Sequence, residues 1–91
     1  MAQIGRGELT AEWQNLTDVI TGFSPVTDGK YELQNIGVEE IQVCEGATAP
    51  TEERDGFIVR IYDIAELKKE DGINFYVKAK YKSSTVNLGT L

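Results

Sequence analysis

The chain of 91 residues has no histidine, one cysteine, one tryptophan and two prolines. Without histidine, every His-based triad, dyad or His-ligated metal site is excluded. With Cys44 alone, no intrachain disulfide and no cysteine-built zinc site can form. No GxxxxGK[ST] phosphate loop occurs, and the nearest glycine pair, Gly5-Arg-Gly7, leads into no strand-to-helix unit. No apolar run approaches the ~20 residues that span a bilayer. Met1-Ala-Gln-Ile-Gly-Arg-Gly7 has no apolar h-region, so no signal peptide is expected. That points to synthesis in a reducing cytoplasm, where the sequon Asn15-Leu-Thr17 carries no meaning.

Positive charge is also scarce. The formal net charge is −6. Residues 1–55 carry 3 Lys and Arg against 11 Asp and Glu, a net of −8, while residues 56–91 carry 6 against 4, a net of +2. Phosphate neutralisation needs clustered Lys and Arg, so no nucleic-acid partner is expected. No membrane partner is expected either.

What remains offers little chemistry. Glu39-Glu40 and Glu52-Glu53 with Asp55 are the densest acidic clusters. Neither has the D-x-D-x-D-G order of a calcium loop, and both lie beside turns, where charge keeps loops in water. Cys44 continues a strand pattern and reads as a small packing residue. Neither catalysis nor a cofactor or metal is expected. Trp13, Tyr62 and Tyr76 could form a sugar-stacking platform, although a lone tryptophan more commonly anchors a core.

Along the chain, period-2 alternation dominates. Residues 1–8 read as a flexible arm, followed by one domain over residues 9–91. Leu9 to Gln14 opens the fold, and Asn15-Leu-Thr17-Asp18 is a turn. Val19, Thr21 and Phe23 share a strand face. Tyr31 and Leu33, then Ile41 and Val43, alternate around Asn35-Ile-Gly37 and read as a hairpin. Residues 47–55 are a polar surface loop. Phe57, Val59 and Ile61 alternate again. Residues 63–71 carry a capping-box spacing at Asp63 and Glu66, which admits a short helical turn or a distorted strand. Phe75, Val77, Ala79 and Tyr81 form the clearest strand, with Tyr76, Lys78, Lys80 and Lys82 facing outward. The last strand carries Val86 and Leu88. Six or seven such strands at this spacing predict an all-β fold, a small antiparallel β-sandwich or barrel. The expected core is Trp13, Leu33, Val43, Phe57, Val59, Phe75 and Val77.

These residues also form an ordered set. Trp13-x-x-Leu16 precedes Gly29-Lys-Tyr31-x-Leu33-Gln34-Asn35-x-Gly37. Ile41-x-Val43, Ala47-x-Ala49-Pro50 and Phe75-Tyr76-Val77-x-Ala79 follow. From Trp13 to Leu88 the chain resembles the small β-sandwich structural proteins of tailed bacteriophages and prophages. The Asp63–Asp71 segment departs from that family's usual Pro-Gly turn. The resemblance implies a non-catalytic virion component such as a head-decoration, head-fibre or tail accessory protein. Its partners would be phage capsid or tail proteins and copies of itself; such accessories are trimers or dimers, and a trimer is expected here. Within that reading, Asn35 is a turn residue whose side chain caps free backbone groups. The candidate self-association surface sets Lys78, Lys80 and Lys82 of one copy against Glu32, Glu39 and Glu40 of another. A small carbohydrate- or peptide-binding β module is the alternative.

Overall fold

A computed structural model describes residues 2–91. In chain order the elements are β1 (Gln3–Thr10), β2 (Gln14–Asn15), α1 (Leu16–Val19), β3 (Lys30–Asn35) and β4 (Ile41–Gly46). Then follow β5 (Phe57–Val59), β6 (Ile64–Lys68), β7 (Asn74–Ala79) and β8 (Ser83–Thr90). They form two four-stranded antiparallel sheets, ordered β1-β8-β3-β6 and β2-β7-β4-β5. The sheets pack as a sandwich, as the alternation predicts. Among the described residues, no helix is long and apolar enough to cross a membrane.

The chain changes sheet at almost every step. Only β4 and β5 are both consecutive and paired. Residues 31–43 are therefore not a hairpin. Tyr31 and Leu33 belong to one sheet, Ile41 and Val43 to the other, and Asn35-Ile-Gly37 opens the corner between them. Leu33, Ile41, Val43, Val59, Leu67, Phe75, Val77, Val86 and Leu88 fill the space between the sheets. Phe23 stacks edge-on against Tyr31 at 5.0 Å.

Four expectations change, and one open alternative is decided. Residues 3–10 are a strand, not an arm, paired with β8 from Gln3–Gly89 to Thr10–Ser83. Gly7 hid this, because it removes the side chain that marks a strand's inner face. A Cβ there would lie 2.5 Å from Val19 Cγ1, so the bare backbone admits the α1 segment. Val19 to Phe23 is not a strand: Val19 ends α1 and Phe23 packs in the core from a turn. Residues 64–68 take the strand alternative, with Ala65 and Leu67 inward. Phe57 is 47% exposed, because the three-residue β5 is an edge strand whose first residue lies at the rim of the core. Trp13 is only half-buried. The rest of the expected core, Leu33, Val43, Val59, Phe75 and Val77, is buried.

Candidate functional site

Two surfaces carry the features that packing alone does not explain. One is the outer face of the β2-β7-β4-β5 sheet. Gln42 of β4 and Lys78 of β7 lie directly opposite on it. Alternation points both toward solvent, yet both are buried. The segment after β4, residues 47–56, folds back over them. Gln42 Nε2 donates to the carbonyls of Glu53 and Asp55, and Trp13 Nε1 donates to that of Glu52 at 3.0 Å. Gly56, at φ +81°, takes the chain into β5 so close to the Val43 carbonyl that no side chain fits. Between this segment and β7 lies a cleft of about 430 Å³, lined by Gln42, Arg54, Ile58, Lys78, Lys80 and Tyr81 among others. Lys78 Nζ donates to Gln42 Oε1 at 3.2 Å and to the Lys80 carbonyl at 3.4 Å.

The expected self-association residues are placed unevenly. Lys80 pairs with Glu40 of its own chain at 2.9 Å. That hydrogen bond is the largest cause that raises the Lys80 ammonium above its ordinary value. Glu39 accepts the backbone N–H groups of Lys82 at 2.7 Å and Tyr81 at 2.8 Å. The Lys82 N–H is the largest cause that holds the Glu39 carboxyl below the ordinary range; desolvation opposes it, and the Tyr81 N–H adds to the lowering. The structure thus joins the Lys80 ammonium to Glu40, and the backbone of Lys82 to Glu39, within one copy. Lys78 is buried rather than outward, and Glu32 lies on β3 of the opposite sheet.

Other candidates scatter. Of the three aromatic platform residues, Tyr76 is buried, Trp13 is tied to Glu52 and only Tyr62 stands open. Desolvation pushes the Cys44 thiol up, with the Asp55 and Glu45 charges adding to it, so its thiolate is disfavoured at neutral pH. Among the described residues, no three acidic or cysteine side chains are arranged to hold a metal ion.

The second surface lies along one side of the sandwich. There β5 and β6 are the outer strands of their respective sheets, and residues 60–63 link them. Phe57, Ile58, Ile61, Tyr62 and Ile64 are all exposed along this edge. Tyr62 is 72% exposed and holds φ +70°, a left-handed backbone that bulky residues rarely adopt. Two hydrogen bonds fix it there: Tyr62 N–H donates to the Asn35 carbonyl at 2.6 Å, and Gln34 Nε2 donates to the Tyr62 carbonyl at 3.0 Å. Counting one strand face at a time misses this edge. Its signal is present in Phe57-Ile58-Val59-x-Ile61-Tyr62-x-Ile64, where apolar residues occupy both parities. One buried face needs only one of them. No family model, curated protein or solved structure matches the chain.

Proposed function

We propose that the protein is a non-catalytic structural component that assembles with copies of itself through the β5–β6 edge. The observation that carries this reading is the exposure of Phe57, Ile58, Ile61, Tyr62 and Ile64 on the side of the sandwich where β5 and β6, among the described residues, are the outer strands of their sheets. Unpaired edges invite pairing with another chain, and exposed apolar side chains gathered on one side of a fold favour contact. Tyr62 strengthens the reading: a strained backbone that presents a ring to solvent is placed for contact rather than for packing. Identical chains usually close into a symmetric ring or dimer. The resemblance to phage sandwich proteins suggests what the assembly serves. The protein is then a head-decoration, head-fibre or tail accessory component of a virion.

Two measurements test this. Light scattering on the purified chain at high micromolar concentration should give a multiple of the monomer mass; a monomer overturns self-assembly. Sedimentation with capsids or tails of the encoding phage should carry the protein into the pellet. Its retention in the supernatant overturns the virion reading.

A further inference from the structure

We propose that the cleft between residues 53–56 and β7 binds a small organic carboxylate, with Lys78 as its counter-ion. Lys78 is 3% exposed. A buried ammonium is costly unless it is paired and hydrogen-bonded. Its three N–H donors meet two acceptors, Gln42 Oε1 and the Lys80 carbonyl, and both are neutral. Among the described residues, no carboxylate oxygen lies within 4.0 Å of it. Lys80 beside it is already neutralised by Glu40. Glu39 acts on Lys78 only through space, beyond ion-pair distance, so no negative charge contacts the ammonium, and Lys78 lines a cleft open to receive one.

The rest of the lining narrows the ligand. Arg54 lies on the same cleft and is in no ion pair among those of the described residues, so it can add a second donor group to the anion. Glu53 also lines the cleft and opposes a second negative charge on the ligand. Gln42 Nε2 is spent on the Glu53 and Asp55 carbonyls. A phosphate, with at least three acceptor oxygens and up to two charges, would find too few donors. A carboxylate, with one charge and two oxygens, fits Lys78 and Arg54. Ile58 and the ring of Tyr81 supply apolar walls for the body of the ligand. A volume of about 430 Å³ suits a small molecule of this kind. This site is separate from the assembly reading, although Ile58 borders both surfaces.

Amide-resolved NMR titration of the full chain tests the proposal. The probes are D-glucuronate and N-acetyl-L-alanine, an acidic sugar and an N-blocked amino acid, each with one carboxylate. Glucose and inorganic phosphate are the controls. The titrations use the Tyr62→Lys variant, so that self-association neither covers the cleft nor mimics its occupation. At least one acid should give saturable shifts at the Gln42 side-chain amide and at Ile58. Removing one charged partner of an anion is expected to weaken binding about tenfold or more for Lys78→Met, and about threefold for Arg54→Gln. Replacing a buried charge by an apolar side chain of similar length is compatible with folding. Arg54→Gln, at an exposed position, gives an answer if Lys78→Met does not fold. No saturable shift with either acid overturns the proposal. So do equal shifts with glucose, tighter binding of phosphate, or affinities unchanged in the variants that fold.

Discussion

Asn35 joins the two sheets through its side chain. Its side chain is fully buried and makes four hydrogen bonds. Nδ2 donates to the carbonyls of Glu39 at 2.8 Å and Val59 at 3.1 Å. Oδ1 accepts from Gly37 N–H at 3.1 Å and Ser84 Oγ at 2.9 Å. Those partners belong to the corner after β3, to β5 and to β8, so one amide ties both sheets together. Asn35→Asp keeps the shape but turns two donors into an oxygen facing two carbonyls. Leaving buried groups unsatisfied costs about 1–3 kcal/mol each, more when charged. The substitution should therefore lower the unfolding free energy by about 3 kcal/mol or more in urea titrations. Glu39 predicts a pH dependence. Its carboxyl is held low in the folded chain, chiefly by the Lys82 N–H. A group depressed on folding stabilises the protein above its unfolded value, and that contribution is lost as pH falls through the folded value. Thermal melts from neutral to strongly acidic pH should show a smaller loss for Glu39→Gln than for wild type. The capping role of Asn35 was legible, because an asparagine two residues before a glycine at a break in alternation signals a local backbone bond. The burial of Lys78 was not. Period 2 assigns a side chain to a face, and only the return of residues 47–56 over that face decides whether water reaches it.

At the scale of elements, local period recovers strands and misassigns their partners. β3, β4, β7 and β8 stand where alternation puts them, because each has an apolar row facing the core. Nothing in residues 30–46 states that the two strands belong to different sheets. A corner and a hairpin share the same Gly-containing break, and only the buried bonds of Asn35 distinguish them. β6 resolves the ambiguity of residues 63–71 by pairing with β3 from Lys30–Lys68 to Gln34–Ile64, a gain that a two-turn helix with few apolar residues cannot match. The candidate cleft was invisible for the same reason as its floor: it exists only where a polar loop closes on a sheet. Gly56 makes that closure possible. Its φ of +81° strains any side chain, and the Val43 carbonyl occupies the space a Cβ would take. Such strain costs about 1–3 kcal/mol before any clash. Gly56→Ala should lower stability by at least about 1 kcal/mol in urea titrations. It should also raise hydrogen exchange at Phe57 and Val59, since the loop cannot close without displacing β5. A wild-type melting point and exchange pattern would show that the backbone at Gly56 adapts.

At the scale of the whole molecule, the distribution of charge and the distribution of apolar surface make opposite predictions for assembly. The charge pattern alone sets lysines of one copy against glutamates of another. In the folded chain most of those groups are committed: Lys78 is buried, Lys80 holds Glu40, and Glu39 caps the N–H groups of Tyr81 and Lys82. Glu32 remains on β3, and the Lys82 side chain remains in the turn before β8, too few to choose a partner. Between Phe57 and Ile64 only Val59 is buried in the core, and Phe57, Ile61, Tyr62 and Ile64 stay exposed. Salt separates the two origins. At about 1 M salt the Debye length falls to ~3 Å, so contacts between exposed charges are largely screened. Apolar contact is not screened, and sulfate strengthens it. The homo-oligomer should therefore persist in about 1 M sodium chloride and tighten in sodium sulfate. Lys82→Glu should leave its mass unchanged. Tyr62→Lys combined with Ile64→Lys places two charges in the patch at exposed positions, so it should release folded monomers with a wild-type circular dichroism spectrum. Sedimentation equilibrium across this series reads every outcome. Dissociation of the wild type by salt, with the double variant still associated, would return the interface to the charged residues and remove the β5–β6 edge from it.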